Sequence, residues 1–228
     1  MLSVQDIKKG VAEKAVELIQ PGMTVGIGTG STAYWLLMAL GQKVKKGFKI
    51  RCVPTSRETA RLAKKLHIPL VELNDVRSIH LTIDGADEIN PQAQLIKGGG
   101  GALLQEKMVA AASQALVIIA DSSKEVKQLG KFPLPVEVIP FGWKQVQSHI
   151  RKQYKVSSKL RMKEGQPLTT DHGHYILDAR FGQITDPAAL HTALNIIPGV
   201  VDNGLFINMA TSTIIGDAAG AIISTRFL

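Results

Sequence analysis

Cysteine is nearly missing from this 228-residue sequence, with Cys52 the single example. One thiol excludes a disulfide framework and a cysteine metal knuckle, and in the strand-like run KIRCVPT it reads as core filler. Aromatic residues are scarce as well, three Tyr, six Phe and two Trp, which leaves little for stacking on nucleic-acid bases. The chain carries a formal charge of +8, yet its cations are spread over helical patterns such as Lys43, Lys45, Lys46 and Lys64, Lys65, without a long basic run. Such a charge could serve nucleic acid but equally a small anionic substrate, and the spread of the cations with so few aromatics leaves nucleic-acid binding the weaker reading. No uncharged apolar run approaches the roughly 20 residues of a membrane helix, and the opening MLSVQDIKKG lacks the apolar region of a signal peptide. Internal repeats and low-complexity segments are lacking too. The expectation is a cytoplasmic protein that binds neither membrane nor nucleic acid.

What is present has the texture of a folded α/β chain, long enough for one large domain or two smaller ones. Ser3 caps a helix expected to run to about Ile19, which Pro21-Gly22 ends. The short strand MTVGIG leads into Gly28-Thr29-Gly30-Ser31-Thr32 and then a helical run, AYWLLMAL. Strand, glycine-rich turn and helix aim backbone N–H groups and a helix dipole at an anion. Two familiar versions of this turn fail. A dinucleotide fingerprint breaks at Ser31, where the third glycine should stand, and a P-loop needs a lysine that is missing. The remaining loop, with hydroxyls at Thr29, Ser31 and Thr32, suits a single phosphate. It equally suits a tight βα turn capped by Ser31 or Thr32, and both can hold at once.

Further strands are expected at KIRCVPT, LVEL, IHLTID and LVIIAD, with helices over Ser56 to His67 and Ala102 to Gln114. Alternating strands and helices give a parallel sheet with helices on its faces. Ligands of such sheets bind beyond the carboxyl ends of the strands, where Gly28–Thr32, Asp84–Asp87 and Asp121–Lys124 all fall. After Gly130 three prolines in LGKFPLPVEVIP mark a boundary. Beyond it VEVI, WKQVQSHIRKQY, SKLRM, HYILDAR, DPAALHTALN and GVVDNGLF spell the ferredoxin-like order βαββαβ. The last apolar runs, LFINMA and TIIGDAAGAIIST, suit the first sheet. The expected fold is therefore α/β: an open, mostly parallel Rossmann-like sheet with helices on both faces, plus an inserted smaller α+β domain. The expected domains are 1–130 with 205–228, and 131–204.

The chemistry concentrates in TIDGADEINPQAQLIKGGGGALLQEK, Thr82 to Lys107. On a helix, the neighbours of Glu106 at i−4, i−3, i+3 and i+4 are Ala102, Leu103, Val109 and Ala110, all apolar. A carboxylate in such a largely buried helix is a candidate general base, or else it reaches solvent from the first turn. Asp84 and Asp87 invite a metal, with Glu88 as a third oxygen ligand, but Lys97 would compete for the same carboxylates. Two aspartates beside a lysine better suit sugar hydroxyls and a developing oxyanion; the plain alternatives are an Asx turn at Asp84-Gly85 and a solvated Lys97. Clustered glycines at Gly98 to Gly101 cost backbone entropy and provide close approach and free N–H donors. The six histidines are scattered. His172 and His174 would share a strand face if Gly173 were extended, but a third metal ligand is not in sight, and no G-x-S-x-G elbow supports a serine triad.

The motifs GIGTGSTA, PTSRET, TIDGADEIN, LIKGGGGALLQEK, IADSSK, LGKFPLPVEVIP and PGVVDNGLF closely resemble type A ribose-5-phosphate isomerase, in order and from Lys8 to about Phe206. The resemblance implies interconversion of D-ribose 5-phosphate and D-ribulose 5-phosphate in the pentose phosphate pathway. It also implies a homodimer or homotetramer that works without metal or cofactor. By that resemblance Glu106 matches the base that carries a proton between C2 and C1 through a cis-enediolate. Asp84, Asp87 and Lys97 match residues for ring opening and for handling the C1 and C2 oxygens. Lys8, the loop Thr29, Gly30, Ser31, Thr32, and Lys124 match phosphate and substrate contacts, with Gly85, Ala86, Gly98, Gly99 and Gly100 in the same substrate-binding set. The chain departs from the family pattern at Gln105, where arginine is common, at His172 and His174, where asparagines are usual, and at Asp202, where glutamate is common. A reading of another class is a non-enzymatic sugar-phosphate sensor, which would not need Glu106 and Lys97 together. Acyl or CoA transfer through Glu106 as nucleophile is a third, for which the chain is short.

Overall fold

Parallel strands can be joined only by long crossovers, and the helical runs between the strands of this sequence supply them. The structure, a computed structural model, describes residues 2–227. In chain order it begins α1 (Val4–Val16), β1 (Thr24–Ile27), α2 (Ser31–Lys45), β2 (Arg51–Pro54), α3 (Arg57–Lys65) and β3 (Leu81–Asp84). It continues β4 (Glu88–Ile89), β5 (Leu95–Ile96), α4 (Leu103–Ala111), β6 (Leu116–Asp121), β7 (Leu134–Val138), α5 (Trp143–Tyr154) and β8 (Ser158–Leu160). The remainder is β9 (Met162–Lys163), β10 (Gln166–Pro167), β11 (Tyr175–Ala179), α6 (Pro187–Asn195), β12 (Val200–Asn203), β13 (Leu205–Phe206), β14 (Ser212–Gly216) and β15 (Ile222–Arg226). Two units result. The first holds the chain up to Ala86, Gln105–Lys124 and the chain from Met209; the second holds Asp87–Leu104 and Glu125–Asn208.

In the first unit a six-stranded sheet runs β15-β14-β6-β3-β1-β2, parallel except for the hairpin strand β15. The parallel strands therefore follow the doubly wound order 2-1-3-4-5, whose direction of winding reverses between β1 and β3. Strand residues alternate between two apolar layers, as a period of two requires. Val25, Ile27, Leu81, Ile83, Val117, Ile119 and Ile214 join the core built with α1 and α2. Val53, Ile79 and Val109 of α4 form a smaller cluster. Helix α1 starts with a capping box, in which Ser3 Oγ accepts from Asp6 N and the Asp6 carboxylate accepts from Ser3 N.

The second unit has a four-stranded antiparallel sheet in the order β12-β7-β11-β8. With α5 and α6 this is the expected βαββαβ motif. Its core joins Val136, Val138 and Leu177 with Val146 and Ile150 of α5 and Leu190 and Leu194 of α6.

Several local expectations change. LVEL is not a strand: Leu70 makes an isolated bridge to Cys52 and the chain turns at Leu73–Asp75. GVVDNGLF splits at Gly204, where a Cβ would lie 2.3 Å from Lys97 O and 2.8 Å from Pro135 Cδ. The chain leaves one sheet there, and β13 pairs instead with β5 in a three-stranded sheet, β13-β5-β4. Through that pairing residues 87–104, read from sequence as part of the first domain, group with the second unit. Gly173 is not extended but left-handed, at φ +83°, so His172 lies in a turn rather than on a strand face with His174. Among the described residues no helix is long and apolar enough to cross a membrane.

Candidate active site

The first unit places its candidate residues at one end of the sheet, around the reversal between β1 and β3. Gly28, the residue after β1, donates its N–H to Ile83 O at 2.9 Å. Thr29 N donates to Asp84 Oδ1 at 3.2 Å, and Gly85 N donates to the same oxygen at 2.7 Å. Asp84 is 1% exposed at the end of β3, so its carboxylate is locked to the loop across the reversal point. Gly28 is obligatory for that closeness, because a Cβ there would sit 2.0 Å from Asp84 Oδ1. Gly30, at φ +111°, is the residue before α2, and no side chain caps that helix. Its first-turn N–H groups, which an α-helix leaves without intrahelical partners, thus belong to a loop ready for an anion. Lys8 reaches the same place from α1, donating from Nζ to Ser31 Oγ at 2.9 Å. Thr32 is buried in the first turn.

Glu106 arrives at that end of the sheet on α4. Val109 of α4 packs toward Gly26 of β1, and Ser113, two residues past the helix, has its Oγ 2.6 Å from Thr82 Oγ1 of β3. Gln105 Nε2 donates to Pro54 O, at the end of β2, at 2.8 Å. The first turn of α4 is therefore level with the carboxyl ends of the strands, and Glu106, in that turn, is 5% exposed. Lys124 closes a short turn after β6, where Asp121 Oδ1 accepts from Ser123 N at 3.1 Å. Gly85 and Ala86 follow Asp84 at the same strand end.

The remaining candidates belong to the second unit. Asp87 Oδ2 accepts from Gly99 N at 2.7 Å, and a Cβ on Gly99 would lie 2.6 Å from Asp87 Oδ1. Lys97 is no surface lysine: it is 2% exposed, donates its backbone N–H to Gly204 O at 2.9 Å and holds Nζ 5.4 Å from the centre of the Phe206 ring. The carbonyls of Gly98 and Gly99 accept from Arg161 Nη1 at 2.7 and 3.0 Å, and Arg161 also pairs with Asp178. The glycine loop is thus tied by its carbonyls, and Gly99 and Gly100 stand exposed.

The metal reading of the aspartate motif has no geometric support. Glu88, the proposed third ligand, is 3% exposed and accepts from Gly130 N at 2.7 Å and Phe132 N at 2.5 Å. Its carboxylate is a clamp for the loop before β7. Among the described residues no three His, Cys, Asp or Glu side chains gather as metal ligands. His174 Nδ1 lies 2.9 Å from Oε1 of the buried Glu137, which also accepts from Thr170 Oγ1 at 2.9 Å. That pairing occupies one of the departures from the family pattern with a structural contact. Cys52 is fully buried in the first core, and burial pushes its thiol up to about 12.

Sequence reasoning placed Ser56 at the start of a helix and missed the hydroxyls of Thr55 and Thr59. Ser56 does cap α3, accepting from Thr59 N at 3.1 Å. It also belongs to a cluster behind the anion loop: Thr29 Oγ1 lies 2.8 Å from Thr55 Oγ1 and donates to Ser56 Oγ at 2.8 Å. The signal available was three hydroxyl residues in PTSRET at the next strand end.

A family model described as ribose 5-phosphate isomerase A (phosphoriboisomerase A) matches residues 51–220. The sequence is 51% identical over 218 residues to ribose-5-phosphate isomerase A of Bacillus mycoides (strain KBAB4), a match covering 95% of this chain and 98% of the relative. Among solved structures, ribose 5-phosphate isomerase from Plasmodium falciparum superposes with a TM-score of 0.95 at 38% identity, over 98% of this chain and 99% of that one. A D-ribose-5-phosphate isomerase in complex with phospho-erythronic acid superposes with a TM-score of 0.95 at 37% identity, over 99% of this chain and 100% of that one.

Proposed function

Because the chain belongs to the ribose 5-phosphate isomerase A family, we propose that it interconverts D-ribose 5-phosphate and D-ribulose 5-phosphate. The observation that carries this reading is the rim of the first unit. A buried carboxylate, Glu106, stands at the same sheet end as an anion-ready loop whose Thr29 N–H donates to Asp84 and whose Gly28 packs against that carboxylate. An aldose–ketose isomerisation needs one group that removes a proton from one carbon and returns it to the next, which a single carboxylate does. Glu106 is that base, moving the proton between C2 and C1 through a cis-enediolate. Lys97 is assigned to the oxygen that gains charge, where a desolvated ammonium stabilises it strongly. Asp84 and Asp87 are assigned to opening the sugar ring and handling the C1 and C2 oxygens.

The phosphate is assigned to the first turn of α2, with Gly30, Ser31 and Thr32, together with Lys8 and Lys124. Thr29 serves through the same loop, and Gly85, Ala86 and Gly98 to Gly100 provide close backbone approach. Gripping the phosphate, remote from the reacting carbons, converts binding energy into alignment. The phospho-erythronic acid held by the related enzyme supports a sugar-phosphate ligand for this chain. Family membership further supports a role in the pentose phosphate pathway, a cytoplasmic location, no metal or cofactor, and a homodimer or homotetramer, which light scattering would distinguish. A sensor would have no use for the buried Glu106 at this rim.

Purified protein incubated with ribose 5-phosphate should form ketose at the same rate with and without a chelator. Glu106→Gln should lower kcat by about 10²–10⁴ while sugar-phosphate binding persists. Absence of ketose with the wild-type protein sinks the activity, and near-normal turnover in the variant removes Glu106 from the proton transfer.

A further inference from the structure

The cluster behind the anion loop is a closed circuit of donors. Thr29 Oγ1 donates to Ser56 Oγ at 2.8 Å, Ser56 Oγ donates to Thr59 Oγ1 at 3.1 Å, and Thr59 Oγ1 donates to Gly28 O at 2.9 Å. The path starts on the side chain of Thr29 and returns to the carbonyl just before it. Thr55 completes the set, its Oγ1 and its N–H both donating to Ile27 O at 3.0 Å. Thr55, Ser56 and Thr59 are 0%, 5% and 4% exposed.

The circuit fixes two peptide planes from both sides. The carbonyls of Ile27 and Gly28 point to the hydroxyls of the turn between β2 and α3, while the N–H groups of Gly28 and Thr29 point to Ile83 O and Asp84 Oδ1. Thr29 has no donor left for a ligand above the loop, since its N–H and its hydroxyl are both engaged inward. The donors facing a ligand are then those that follow, at the start of α2, and their direction is set by the two clamped peptides. A buried hydroxyl network is a costly way to fill space, because each member must stay satisfied. Its placement under the one loop that must hold an anion in register explains why it is there.

We propose that Thr55, Ser56 and Thr59 are positioning residues for the substrate phosphate, with Thr59 fixing the height of the Gly28–Thr29 peptide, and that Thr29 holds the loop rather than touching the phosphate. The proposal rests on the isomerase reading and concerns the grip rather than the proton transfer. Thr59→Val leaves Gly28 O without its donor and should raise KM for ribose 5-phosphate about tenfold, with kcat within about threefold of wild type. The Kd for phospho-erythronic acid, measured by titration calorimetry, should rise by the same factor. Thr59→Ser keeps the hydroxyl and should restore both constants. Thr59→Ala, which opens space rather than exchanging a methyl for the hydroxyl, provides the same measurement if the valine variant does not fold. A lowered Tm with KM and Kd unchanged would overturn the proposal, as would a loss confined to kcat. If the wild-type protein forms no ketose, the isomerase reading fails on its own, and the effect of Thr59 on phospho-erythronic acid affinity still decides the clamp.

Discussion

Lys97 shows how much a single residue's surroundings alter its chemistry. A lysine that reads in sequence as surface or site is 2% exposed, with its ammonium 5.4 Å from the centre of the Phe206 ring. The negative face of an aromatic ring offsets part of the lost hydration of a buried cation. Cys52 shows the converse, a group silenced by burial. Its thiol is pushed up to about 12 from the ordinary 9.0 by desolvation alone. The folded chain therefore keeps the proton where the unfolded chain releases it. Stability is complete below about pH 9 and declines as the pH rises toward about 12, by at most ~1.4 kcal/mol per pH unit for one proton. Thermal melts of wild type and Cys52→Ala between about pH 8 and about pH 11 should show this extra alkaline slope only in the wild type. Parallel pH dependence of the two proteins would reject it.

At the scale of an element, the turn from β1 into α2 does most to shape the rim. Gly28 is constrained by contact rather than by its own dihedrals, since a Cβ would lie 2.0 Å from Asp84 Oδ1 and 2.6 Å from Asp84 Cα. The second distance is to backbone, so no side-chain rotation relieves it. Gly28→Ala should separate β1 from β3 at the reversal point and lower kcat/KM by about 10²-fold through misplacement of the loop and Asp84. Kinetics near wild type would show that the sheet can widen there without consequence. The β4–β5 hairpin was the element hidden from sequence reading. Its strands, Glu88–Ile89 and Leu95–Ile96, are too short for periodicity to register. They exist because Leu205 and Phe206 pair with Ile96 and Leu95, a partner more than 100 residues further along the chain. Separations of 42 and 44 residues likewise hid the role of Glu88, whose carboxylate oxygens accept from Gly130 N and Phe132 N.

For the molecule as a whole, the charge of +8 acts on encounter more than on fold. A doubly charged sugar phosphate should be drawn toward the protein at low ionic strength and less so once the Debye length shrinks below about 10 Å. Steady-state kcat/KM should fall several-fold between about 0.02 M and about 0.2 M salt, with kcat little changed. A kcat/KM independent of salt would remove long-range steering from the mechanism.

Local pattern alone determined the alternation of strands and helices, the βαββαβ order after Gly130 and the identity of Glu106, Asp84, Asp87 and Lys97 as candidates, because periodicity, caps and glycine clusters are properties of neighbours in the chain. The tertiary structure decided which distant residues meet within each unit and how each is held. Thr29 and Thr59, Glu88 and Phe132, and Lys97 and Phe206 are each separated by many residues and meet only when the sheets form. A hydroxyl looks the same in sequence whether it faces a ligand or a carbonyl. Only the fold turned the Thr29 hydroxyl inward to Ser56 and left the start of α2 without a side-chain cap.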